Sequence, residues 1–190
     1  EHGIHSGETF GYVMDLIPEG YYSLEDFLLA RQHFASYRVA VDACLEISKV
    51  FRVLRNMGLC YQDLNAGNFF FDPQNGDVII CDCDNVAEHG VSTGIIGTPG
   101  FMAPELVIDD WEYMHDKDNY RDEFYKTGKR RVQPSYKTDR FSMAVLFFEI
   151  LTNTNPLAGR RSFMPQDSLV KVHLYGYDAL FMFDSENSEN

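Results

Sequence analysis

The chain has 190 residues, enough for one domain or a large part of one. Its 16 Lys and Arg stand against 29 Asp and Glu, a formal net charge of −13, which argues against a nucleic-acid-binding surface and gives no support for docking on anionic lipid. No run is long and apolar enough to span a bilayer, and Glu1-His2-Gly3-Ile4 has neither the basic start nor the apolar core of a signal peptide.

Residues 1–9 are short of apolar side chains and are expected to be mobile. The segment 10–17 is dominated by Phe, Tyr, Val, Met, Leu and Ile and reads as a strand that ends at Pro18-Glu19-Gly20. Ser23 is placed to cap a short helix, with Asp26 three residues on and Leu24, Phe27 and Leu28 as its apolar face. The clearest helix runs over 37–57, where Ala40, Ala43, Cys44, Ile47, Val50, Phe51, Leu54 and Met57 keep 3.6-residue spacing and Gly58 suits the position after the last turn.

Two short apolar runs, 69–71 and 78–81, flank Asn75-Gly76, a strong hairpin signal. Closing that hairpin would bring its flanks together, so that Asp63, Asn68 and Asp82 converge. Two carboxylates and an amide oxygen are hard ligands suited to Mg²⁺ and its attached phosphates. The competing reading is that Asp, Asn and Gly gather in turns for backbone reasons alone. Residues 86–100 form a loop with Gly90, Gly94 and Gly97.

Over 106–138 aromatics interleave first with acidic residues and then with Lys126, Lys129, Arg130 and Arg131. That pattern suits either a solvated helical insert whose aromatics cover the domain or a docking surface for a protein partner. The run 141–151 is apolar but for Ser142 and Glu149, the mark of a buried helix. Residues 162–183 show few clear periods, and 184–190 read as a disordered acidic tail. The spacing of Cys44, Cys60, Cys81 and Cys83 is not that of a zinc site, so they read as reduced thiols filling core positions of a cytoplasmic protein.

The run from Asp63 to Asn68, then Asp82 at the end of a short strand, then Gly97-Thr98-Pro99 and Ala103-Pro104-Glu105, resembles the catalytic half of a protein kinase of the serine/threonine type. The resemblance covers about residues 10–157. It implies an α+β, mainly helical C-lobe, with a small β-hairpin carrying the catalytic and metal residues. Residues 10–20 would be the last N-lobe strand and the hinge, 21–183 the C-lobe with its insert at 106–138.

ATP and Mg²⁺ are the implied cofactors and a Ser/Thr side chain of a protein the implied substrate. By the resemblance Asp63 is the base, Thr98 hydrogen-bonds it, and Asn65 stands in the catalytic loop where the family usually has Lys, without that charge. Met14 is the gatekeeper, the backbone of Asp15 and Ile17 meets the adenine, and Phe70 lies under it. Asn68 and Asp82 hold metal, and Asp84 either joins them or caps the turn. Asp139 anchors the catalytic loop as a structural residue, and Arg160 or Arg161 is a candidate partner for Glu105.

The chain departs from the family in having Tyr61-Gln62 where His-Arg is usual, so a phosphorylated activation loop cannot pair with Arg at that point. Ser92 and Thr93 are available for phosphorylation, as any exposed pair is. Cys83-Asp84 replaces Phe-Gly, and the family's glycine-rich loop and its lysine are missing. The expectation is therefore a fragment with little or no phosphotransfer of its own, from a kinase or, alternatively, from a pseudokinase that uses the fold and the insert to bind a protein. A small-molecule phosphotransferase is a third reading, against which Gly-Thr-Pro and Ala-Pro-Glu both stand.

Overall fold

The computed structural model describes residues 15–94, 97–116, 120–163 and 167–187. The first helical element, α1 (Leu24–Leu28), follows directly on β1 (Tyr22–Ser23). Ser23 Oγ donates to Asp26 Oδ2 at 3.0 Å instead of capping the helix with its own oxygen. The long helix α2 (Tyr37–Asn56) has the predicted inner face, with Ala40, Ala43, Cys44, Ile47 and Phe51 buried, and Ser36 accepts from the Val39 N–H as its N-cap. Val50 and Met57, expected on that face, are exposed, because the buried stripe is narrower than the apolar one.

A two-residue strand, β2 (Leu59–Cys60), leads into the loop that carries Asp63. Next come β3 (Phe69–Phe71) and β4 (Val78–Ile80), antiparallel with Phe69 opposite Ile80 and Phe71 opposite Val78. The hairpin is as the Asn-Gly signal implied, and β1 adds to its far side to give the order β1-β3-β4. Gly76 turns the hairpin at φ +81°, and a Cβ there would lie 2.7 Å from the Val39 carbonyl oxygen, so both conformation and space require glycine. The strand expected over 10–17 lies outside the described residues up to Met14, and residues 15–18 form no strand. β5 (Ala87–Glu88) pairs with β2.

The second half is helical: α3 (Pro104–His115), α4 (Tyr120–Thr127), α5 (Tyr136–Thr152) and α6 (Ser168–Val172), the last running into a π-helical turn at His173–Tyr177. The helix α5 begins three residues before Asp139, behind a capping box between Ser135 and Thr138. It packs on α2 and α1. The main core joins Leu24 and Phe27, the inner face of α2, Tyr61, Leu64, Phe69, Phe71, Phe101 and Val145, Leu146 and Ile150. Each large side chain in it contributes roughly 1.5–3 kcal/mol by leaving water. A smaller cluster of Met102, Leu106, Val107 and Val172 seats α6 on α3. Residues 184–187 form a turn, with the Asp184 N–H bonded to the Phe181 carbonyl at 2.8 Å.

Among the described residues, part of the charge reversal along 106–138 is internal pairing. Asp109, 3% exposed, accepts from the Tyr120 hydroxyl, from Arg130 Nε at 3.0 Å and from the Val132 N–H at 3.1 Å. Arg130 also reaches Asp110 at 2.9 Å and lies over the Tyr113 ring. Arg131 pairs with Glu112 and lies over Tyr120. Asp109 and Arg130 thus close on each other around the buried Tyr120 and are withdrawn from the surface, while Lys126 and Lys129 remain exposed.

Candidate active site

The loop after β2 is hung from α5. The Tyr61 N–H donates to Asp139 Oδ2 at 2.8 Å and the Gln62 N–H to Oδ1 at 3.1 Å, so the buried Asp139 carboxylate spends both oxygens on backbone. Burial pushes its carboxyl above the usual range, and those two N–H groups act in the opposite direction. Gln62 takes a left-handed backbone, φ +72°, which turns the chain so that Asp63 follows in the open. Asp63 Oδ1 accepts from Thr98 Oγ1 at 3.1 Å, and its Oδ2 has no such partner among the described residues.

Asn68 lies at the end of a 3₁₀ turn over Ala66–Asn68, whose cap is Asn65: Asn65 Oδ1 accepts from the Gly67 N–H at 2.9 Å. Asn65 is thus folded onto its own loop. Asn68 donates its amide to the Asp63 carbonyl at 3.0 Å, leaving its own oxygen free to meet a cation. Its carbonyl accepts from the Cys81 N–H at 2.8 Å, which extends the β3–β4 ladder by one rung. Asp82 is the next residue, exposed, in a left-handed conformation at φ +54°. These two hydrogen bonds set the Asp63 backbone beside Asn68, and Asn68 opposite Cys81, the residue before Asp82. Tyr61 closes the back of this cluster: its hydroxyl donates to the Cys81 carbonyl, and burial pushes it well above its ordinary value.

A cavity of about 520 Å³ opens beside the cluster, between residues 15–18 and the run 79–84. Asp15, Ile17, Asp82 and Asp84 line it. Phe70 points to the face opposite the buried Phe69 and Phe71, the face of its strand partner Ile79, which also lines the cavity. Met14 lies outside the described residues. Among the described residues no group of three or more His, Cys, Asp or Glu comes together to hold a metal. A cation here would have Asp82, the Asn68 oxygen and the exposed Asp84 available, and would need further oxygens from elsewhere, as Mg²⁺ bound with phosphates does.

The segment from Cys83 to Gly100 is held at several points. The neutral Gln62 donates from Nε2 to the Val91 carbonyl at 2.8 Å and accepts from the Thr93 N–H at 3.4 Å. It reads backbone where Arg would read phosphate. Its only signal in the sequence was an amide that both donates and accepts. The Gly90 N–H donates to the Pro134 carbonyl at 3.0 Å, and His89 stacks on Tyr136 at 4.1 Å between centroids. Gly97 sits at φ +115° against the Gln62 carbonyl and Met102, where a Cβ would be 3.2 and 3.0 Å away.

Glu105 is exposed and makes no ion pair with Arg160, and nothing is described of the Arg161 side chain. Of the cysteines, Cys44 and Cys60 are buried as expected, with burial pushing their thiols to about 11 and about 12. Cys83 is exposed and Cys81 half-buried, because they flank Asp82 on the cavity side of the hairpin.

The protein kinase domain family matches residues 4–174. A probable serine/threonine-protein kinase zyg-1 of Caenorhabditis briggsae is 26% identical over 117 residues, which cover 58% of this chain and 16% of that protein. The human ribosomal protein S6 kinase alpha-2 is 23% identical over 173 residues, 87% of this chain and 20% of that protein. The chain thus spans a fifth or less of the length of these relatives. Among solved structures, the crystal structure of the yeast RNA Pol II CTD kinase CTDK-1 complex shares the fold at a TM-score of 0.55 and 15% identity, over 80% of this chain and 42% of that one. With a family match that takes in most of its length, and with the fold of a solved kinase, this chain belongs to the protein kinase family.

Proposed function

We propose that the chain is the catalytic lobe of a serine/threonine protein kinase, moving the terminal phosphoryl group of ATP to a Ser or Thr hydroxyl. The observation that supports this reading is the linkage of Asp63 and of the strand end before Asp82 through Asn68, with Asp82 lining the neighbouring cavity. Thr98 fixes one oxygen of Asp63, which leaves the other to accept the substrate hydroxyl's proton and to aim that oxygen. Asn68 and Asp82 would hold Mg²⁺, with Asp84 beside them, and Mg²⁺ with the nucleotide supplies the charge neutralisation that phosphoryl transfer needs. The backbone of Asp15 and Ile17, with Phe70 behind, would bind the base. Asn65 brings no positive charge to the transferring group. The glycine loop and lysine with which the family covers the phosphates are not among the 190 residues, so turnover by the chain alone is expected to be weak.

The binding-module alternative draws on Asn65, turned back onto its own loop. One experiment separates the two. In the chain, alone and within any longer protein that carries it, supplied with labelled ATP, Mg²⁺ and a generic basic protein substrate, Asp63→Ala should lower transfer by about 10²-fold or more. Undiminished transfer would refute the assignment of Asp63, and no transfer by the unaltered protein would favour the alternative.

A further inference from the structure

Between α2 and α5 opens a second cavity, of about 170 Å³, whose rim carries Arg52, Arg55 and Arg140. Arg52 and Arg55 are three apart on α2 and so share a face, and Arg140 comes from the opening turns of α5. All three are exposed, and none makes an ion pair or a side-chain hydrogen bond with another described residue; Arg55 only lies 5.8 Å from the centroid of the Tyr136 ring. Arg31, Arg38, Lys49, Arg130 and Arg131 rest against carboxylates, whereas these three arginines converge unpaired on one cavity. The one carboxylate lining the cavity, Asp139, has both oxygens committed to the Tyr61 and Gln62 N–H groups.

One further feature favours a negative guest. The cavity opens at the N-terminal end of the 17-residue α5, where the helix dipole is positive. A cavity of about 170 Å³ has room for a phosphoryl group. A carboxylate would balance one of the arginines. A phosphomonoester carries nearly two charges and three acceptor oxygens, and the planar guanidinium fork matches its oxygens in pairs.

We propose that this cavity binds a phosphoryl dianion, supplied either by free phosphate or by a phosphorylated side chain of a protein partner. The proposal does not rest on the catalytic reading, because none of Asp63, Asn68 and Asp82 lines the cavity. Calorimetric titration of the chain with inorganic phosphate, with a phosphoserine pentapeptide and with the unphosphorylated pentapeptide tests it. Saturable binding at about 1 mM or tighter is expected for a phosphorylated probe and not for the bare peptide.

The double variant Arg52→Ala, Arg140→Ala should weaken binding at least tenfold, and Arg52→Lys, Arg140→Lys, which keep the charge and lose the fork, should fall between. High salt should weaken it as well. Tighter binding of the phosphopeptide than of phosphate assigns the guest to a protein, and equal binding assigns it to the free anion. Absence of binding, or binding that both double variants leave unchanged, overturns the proposal. The substituted side chains are exposed, and far-UV circular dichroism checks that the variants remain folded.

Discussion

Glu149 sits on α5, 6% exposed, in the helix run that the sequence marked as apolar. Its Oε1 accepts from Asn155 Nδ2 at 2.8 Å, and its Oε2 is buried without a hydrogen-bond partner among the described residues. Asn155 Nδ2 also donates to the Gly100 carbonyl at 3.2 Å, so the group lies directly under the Gly-Thr-Pro-Gly turn. Burial pushes the Glu149 carboxyl from 4.5 to about 7, with the Asn155 amide opposing. Because the folded value is raised, the advantage of the neutral carboxyl is whole below about pH 4.5 and is lost as the pH climbs through about 7. The gap between 4.5 and about 7, at 1.36 kcal/mol per unit, sets a ceiling of about 3 kcal/mol on the cost of carrying this group at alkaline pH. Glu149→Gln keeps the shape and the contact to Asn155 and cannot ionise. Urea unfolding of both forms should give nearly equal stability at pH 4.5 and a variant more stable by up to about 3 kcal/mol at pH 8. Other groups titrate identically in both proteins and cancel in the difference. A gap between the two proteins that does not change with pH would refute the argument.

The Asp139→Asn variant sets an amide N–H against one of the two backbone N–H groups that Asp139 accepts, and should cost about 2–4 kcal/mol in urea unfolding, with loss of hydrogen-exchange protection at Tyr61 and Gln62. Gly76→Ala forces a Cβ to 2.7 Å from the Val39 oxygen at φ +81°, and a loss of about 2–3 kcal/mol is expected by thermal unfolding. Unchanged stability would mean that α2 gives way. Gln62→Ala removes the contacts to Val91 and Thr93, and limited proteolysis should cut the 91–94 stretch several-fold faster while global stability falls by only about 1 kcal/mol.

The sequence alone carried the candidate site residues and the helices α1, α2 and α5. Asp63, Asn68, Asp82, Gly97 and Thr98 are read from short-range patterns, and Asn75-Gly76 says that their flanks must meet, because a two-strand turn is a local structure. The long helix α2 follows from its period and the buried α5 from a nearly unbroken apolar run, both local features. What needed the tertiary structure is what depends on residues far apart in the chain meeting. Nothing near Gln62 tells that it clamps Val91 and Thr93, some 30 residues on. The acidic and basic halves of 106–138 look like a charged surface until Asp109, Tyr120 and Arg130 are seen to close on one another. Glu149 reads as an interruption in an apolar helix, and only packing shows that one of its oxygens is sealed from water. Long-range pairing of polar groups leaves no period in the sequence, since each partner needs only the right atom in the right place.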